Sequence, residues 1–134
     1  MRIMADANIL ISAILFPSSV VAKVFDCIIG NYILVLCNYT IKEVDNVFLD
    51  KFPHKINEKN TFMGELIYEK FDLKMDNNKK YPQIRDVADL PVLANAIESN
   101  VDILITGDKD FDEIQINKPI IIKPRQFLDK YKIG

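Results

Sequence analysis

The sequence predicts an α/β fold, a three-layer sandwich around a central, mainly parallel sheet. Three observations carry that expectation. Short stretches such as Ile33–Cys37 are apolar throughout rather than at every second residue, as in strands covered on both faces. Between them lie longer stretches whose apolar residues recur at helical spacing. The chain has 134 residues, 49% of them hydrophobic and 27% charged, which is enough to bury a core in one domain spanning 1–134.

Ile3 and Met4 begin a short buried strand that ends at Ala5, and residues 8 to 15 then stay apolar until Pro17. Ser18 or Ser19 can cap a helix with the stripe Val21, Val24, Phe25 and Ile28, closed by Gly30-Asn31. Ile33–Cys37 is a buried strand rich in β-formers. A helix is expected from Thr40 to Leu49, with Ile41, Val44 and Phe48 on one face, broken at Phe52-Pro53. A third helix is expected from Asn57 to Phe71, carrying Phe62, Met63, Leu66 and Ile67. Residues 72 to 86 are polar and basic, with one short extended piece at most. Asp89–Ser99 is helical, with Leu93, Ala96 and Ile97 inward, and Pro91 is tolerated because it lies in the first turn. Val101–Thr106 and Ile120–Ile122 are further apolar strands, and residues 124 to 131 form a terminal helix.

In open parallel sheets, sites lie beyond the carboxyl ends of the strands. Asp6 follows the first strand directly, Glu43 sits in the first turn of the helix after the second, and Asp108 lies two residues past Thr106. Asp89 opens the helix that leads into the strand before Asp108. Each acid alone has an ordinary explanation: Asp89 as a helix cap, Glu43 in a capping box with Thr40, Asp108 as a turn residue. Asp6 is harder to explain, since it is flanked by apolar residues with no base nearby after Arg2. Carboxylates gathered at one sheet edge repel and raise each other's pKa. A divalent cation relieves that repulsion, and an all-carboxylate set suits Mg2+ or Mn2+.

Other chemistries are disfavoured. The single histidine, His54, follows a loop signal at Phe52-Pro53 and reads as a surface residue, which argues against zinc hydrolysis and a Ser-His-Asp triad. The four glycines form no phosphate-binding motif. Cys27 and Cys37 are not spaced as a metal knuckle and read as reduced thiols. No segment suggests a signal peptide or a membrane span, so a cytoplasmic protein is expected. Net charge is −2 and the pI about 5.4, which gives no global basic surface for nucleic acid. A bound metal would meet the need to hold phosphates.

Three segments together resemble the PIN domain (PilT N-terminal) nucleases, particularly the small VapC-like toxins of toxin–antitoxin pairs. They are Ile3-Met4-Ala5-Asp6-Ala7-Asn8, Arg85 through Ala94, and Ile105-Thr106-Gly107-Asp108-Lys109-Asp110-Phe111. The match covers nearly the whole chain. The resemblance implies a PIN-like, flavodoxin-like sheet and a homodimer. It implies Mg2+ or Mn2+ held by Asp6, Glu43, Asp89 and Asp108 as the catalytic set, with Asn8, Asp86, Thr106 and Asp110 supporting. Ala7 stands where such proteins often carry Thr or Ser, which puts one supporting hydroxyl in doubt. The expected activity is metal-dependent endoribonuclease cleavage, with RNA guided by Lys79, Lys80, Arg85 and Lys109, and a cognate antitoxin as partner. Two other readings fit less of the pattern: a PIN-like binding module without catalysis, and an Mg-dependent aspartyl-phosphate receiver or phosphatase that would use Lys123.

Overall fold

A computed structural model describes residues 1–73 and 81–131. Lys79 and Lys80, expected to guide RNA, lie outside the described residues. The chain forms β1 (Arg2–Ala5), α1 (Ala7–Leu15), α2 (Val20–Ile28), β2 (Ile33–Cys37), α3 (Asn38–Lys51), α4 (Ile56–Glu65) and β3 (Glu69–Phe71). After the segment outside the description come α5 (Leu90–Glu98), β4 (Ile103–Ile105), β5 (Ile120–Ile122) and α6 (Pro124–Tyr131). Short 3-10 turns span Pro53–Lys55, Val87–Asp89 and Lys109–Phe111.

All strand pairs are parallel, in the order β3-β2-β1-β4-β5. Successive side chains of a strand point to opposite faces, and both faces are covered, which gives the expected three layers. Ile3, Ala5, Leu34, Leu36, Ile103 and Ile105 face the side packed by α1, α2, α3 and α6, with Phe25, Val44, Phe48 and Phe127 at its centre. Met4, Val35 and Leu104 face the other side, against Val92, Leu93 and Ala96 of α5.

Local chemistry sets the element ends. Ser19 caps α2 by accepting the Ala22 N–H at 3.2 Å. Past that helix the chain turns through Gly30 at φ +83°, a left-handed conformation that glycine adopts without steric cost. Residues 8 to 15, which show only an apolar run in sequence, belong to α1. That helix is buried around most of its girth, so no polar face reveals its period. Two expectations need correction. α3 begins at Asn38 rather than Thr40, directly off β2, so Glu43 lies in its second turn and the capping box does not form; the buried Thr40 hydroxyl instead lies 3.3 Å from Cys37 Sγ. The third helix does not run to Phe71. It ends at Glu65, and Glu69–Phe71 pairs as a strand with Val35–Cys37. Backbone pairing along the open edge of β2 takes these residues, and the chain between helix and strand leaves Ile67 79% exposed rather than in the core that a helical stripe would have given it.

The strand after α5 is also shorter than its apolar run. Before it, the Asp102 backbone still pairs with Arg2 and Ile120, while its side chain accepts the Arg2 N–H at 2.8 Å and pairs with Lys118 at 3.5 Å. Among the described residues no single helix is long and apolar enough to cross a membrane. α1 and α2 are apolar together, but they meet at 110° and supply Ile9, Leu10, Val24 and Phe25 to the core.

Candidate active site

The strand order reverses at β1: β2 and β3 lie on one side of it, β4 and β5 on the other. A crevice opens beyond the carboxyl ends at such a switch point. Asp6 follows β1 and Asp108 follows β4, so these two acids come from the strands that flank it. The Asp6 N–H continues the pairing by donating to the Ile105 carbonyl at 3.3 Å.

Asp6 is 6% exposed and serves as the N-cap of α1, its Oδ1 accepting the Ile9 N–H at 3.1 Å. Its Oδ2 accepts the Thr106 hydroxyl in a short hydrogen bond. Thr106 Oγ1 in turn accepts the Asp108 N–H at 3.1 Å, so one buried hydroxyl joins the two acids. With Ala7 after Asp6, this hydroxyl from the residue after β4 is the one that steadies the carboxylate. Burial lifts the Asp6 pKa from its ordinary 3.8 to about 6. The Thr106 and Ile9 hydrogen bonds oppose that rise, and the charges of Asp108 and Glu43 add to it.

Asp89 is not a cap. The side chain that caps the turn Val87–Asp89 is Asp86, whose Oδ1 accepts the Ala88 N–H at 3.0 Å. Asp89 makes no cap hydrogen bond, and its Oδ2 is buried with no hydrogen-bond partner among the described residues. Burial first, then its neighbours Asp108, Asp86 and Asp110, raise its pKa to about 7. Asp108 caps the next turn by accepting the Asp110 N–H at 2.9 Å, which aims Asp110 at the same place. One carboxylate oxygen each of Asp86, Asp89 and Asp110 lie within 4.8 Å of one another. Glu43, half-buried on α3, has its pKa raised by burial.

The structure thus brings Asp6, Glu43, Asp89 and Asp108 within electrostatic reach of one another in pairs. It groups Asp86 and Asp110, expected only as support, most tightly with Asp89. Asn8 is exposed in the first turn of α1 and is not a partner of Asp6. Arg85 lies 3.7 Å from Asp110 and 4.0 Å from Glu113, and Lys109 is exposed beside Asp108. Sequence reasoning did not find Tyr39, which lies one helical turn before Glu43 and whose hydroxyl donates to the Ala88 carbonyl at 3.1 Å. Its spacing from Glu43 was the available signal. His54 is exposed in the turn Pro53–Lys55 and is not among the grouped carboxylates. Lys123, which a receiver module would need beside its acids, lies 3.9 Å from Asp112 instead.

Crowded carboxylates, three of them with raised pKa and one with a buried oxygen lacking a hydrogen-bond partner among the described residues, fit a hard divalent cation.

No curated protein is significantly similar to the chain in sequence. Among solved structures, the chain is similar to one in VapBC2 from Rickettsia felis, bound to a DNA fragment from their promoter. The TM-score is 0.64 at 17% identity, over 91% of this chain and 97% of that one. The family profile described as PIN domain matches residues 2–110, a span that contains Asp6, Glu43, Asp86, Asp89, Asp108 and Asp110 together. On that match, the chain belongs to the PIN domain family.

Proposed function

We propose that the protein is a metal-dependent endoribonuclease and the toxin component of a toxin–antitoxin pair. The observation that carries the nuclease reading is the buried, unpartnered Asp89 Oδ2 among Asp86, Asp108 and Asp110. The likeness to VapBC2 supports the pairing with an antitoxin. Residues 1–134 act as one domain in this reading, cytoplasmic and homodimeric.

Asp6, Asp89 and Asp108 would hold Mg2+ or Mn2+, with Glu43, Asp86 and Asp110 completing the set directly or through water. Such an ion, when bound, lowers the pKa of water and stabilises the charge of an in-line phosphoryl transition state. The chain's own residues do the rest. Thr106 fixes the Asp6 carboxylate, and through the Asp108 N–H it fixes the turn that follows β4. Asp86 and Asp108 shape the two turns that carry Asp89 and Asp110. Lys109, exposed at the rim, and Arg85, 63% exposed, are placed to meet the backbone of an RNA strand. The chain's net charge of −2 offers such a strand no general attraction, so these local cations and the bound metal must supply it. An antitoxin would dock on apolar or locally basic surface for the same reason.

The test is cleavage of end-labelled RNA under Mg2+, Mn2+ or excess EDTA, with Asp6→Asn and Asp108→Asn proteins beside wild type. Cleavage should require metal and be lost by at least about 100-fold in both variants, the scale expected when a metal-assisted step is disabled. Metal-independent cleavage, or equal cleavage by wild type and variants, would overturn the reading.

A further inference from the structure

Asp86, Asp89 and Asp110 carry like charges within 4.8 Å, and they sit on two short turns rather than on strands. Asp86 caps its own turn, which shapes the turn but does not fix its place relative to α3. Asp89 leads directly into α5, which anchors the turn on the sheet, so what remains to be set is the distance of the turn from α3.

Tyr39 spans that distance. It lies in the first turn of α3, 38% exposed, and donates its hydroxyl to the Ala88 carbonyl at 3.1 Å. That carbonyl belongs to the peptide unit that joins Ala88 to Asp89. The N–H of the same residue is held by Asp86 Oδ1 at 3.0 Å, and the Asp89 N–H donates to the Asp86 carbonyl at 3.0 Å. The peptide entering Asp89 is therefore gripped on both sides. Tyr39 and Glu43 are four residues apart on α3, so they share a face of the helix.

We propose that Tyr39 is a positioning residue of the acid site: its hydroxyl ties the Asp86–Asp89 turn to α3 and sets the separation between Glu43 and the Asp86, Asp89 and Asp110 carboxylates. The inference rests on the metal-binding reading above. The residue touches neither substrate nor metal and acts through the backbone of Asp89. Burial and the charges of Glu43 and Asp89 hold the phenol pKa above its ordinary 10.0, so the hydroxyl stays a donor at neutral pH.

Tyr39→Phe removes the hydroxyl and keeps the ring. Mn2+ binding is measured from the free-ion electron paramagnetic resonance signal for wild type, Tyr39→Phe, Tyr39→Ala and Asp89→Asn, together with metal-free melting temperatures. The expected result is Mn2+ affinity weakened roughly 3- to 10-fold in Tyr39→Phe, the scale of one lost hydrogen bond. Its metal-free melting temperature should stay within about 2 °C of wild type, since an exposed hydrogen bond adds little to global stability. The Mn2+ concentration for half-maximal RNA cleavage should rise by the same factor as the dissociation constant. Wild-type affinity in Tyr39→Phe overturns the proposal, and if Tyr39→Ala alone is weakened, the ring rather than the hydroxyl matters. A lowered melting temperature with unchanged affinity makes the contact structural only. If wild type binds no Mn2+, or Asp89→Asn binds it equally well, the metal site itself fails and the role of Tyr39 falls with it.

Discussion

A carboxylate oxygen buried without a hydrogen bond destabilises the fold that contains it, and Asp89 Oδ2 is such an oxygen. Replacing Asp89 by Asn removes the charge and keeps the volume. In metal-free protein at pH 8, Asp89→Asn should raise the melting temperature by roughly 2–5 °C while abolishing any rise on adding Mn2+. A lower melting temperature in differential scanning calorimetry would show that the carboxylate has a partner after all. Asp6 differs, because both of its oxygens are engaged, by the Ile9 N–H and the Thr106 hydroxyl. The positions of Asp6 and Asp108 at strand ends were legible in the sequence, because Asp6 directly follows one apolar strand and Asp108 comes a short turn after another. The tight grouping of Asp86 and Asp110 with Asp89, and the reach of Tyr39 to Ala88, were not. They join residues 24 and 49 positions apart through packing that no local pattern encodes.

At the scale of elements, α5 supplies Val92, Leu93 and Ala96 to the core on one face of the sheet. Leu93 is fully buried there against Met4, Val35 and Leu104 of the central strands. Leu93→Ala should cost about 2–5 kcal/mol in urea unfolding, as for other fully buried leucines. It should also weaken metal binding, because α5 begins at the turn that carries Asp89. A loss below about 0.5 kcal/mol would mean that the site collapses around the smaller side chain. Helices with one apolar stripe, such as α2 with Val24, Phe25 and Ile28, were readable from spacing. α1 was not, because a helix buried nearly all round shows no period. β3 was misread for a different reason. Three residues carry little strand signal of their own, and they pair because β2 presents an open edge.

For the molecule as a whole, the raised pKa values become a pH-dependent stability. The native state keeps protons on Asp6 up to about pH 6 and on Asp89 up to about pH 7, whereas the unfolded chain releases them near 3.8. Between about pH 4 and 7 the native state binds more protons, so stability contributed by these groups falls as pH rises. Asp102 has its pKa lowered, chiefly by the Arg2 N–H, so its contribution is lost only at more acidic pH. In EDTA the urea midpoint should therefore drop from pH 4.5 to pH 7.5, and Mg2+ should flatten that slope by favouring the ionised carboxylates. A flat profile in EDTA would contradict the burial argument. The same parallel sheet ends in two outer strands, β3 and β5, whose far edges pair with no further strand among the described residues. β5 reads Ile120-Ile121-Ile122, with Ile120 45% exposed, yet it is only three residues long and is bracketed by Lys118 and Lys123. Short, lysine-flanked edges are poor templates for strand addition. Lysines so placed oppose edge-to-edge pairing of this triple-isoleucine strand with a second copy of the chain, so they bear on self-association rather than on the fold.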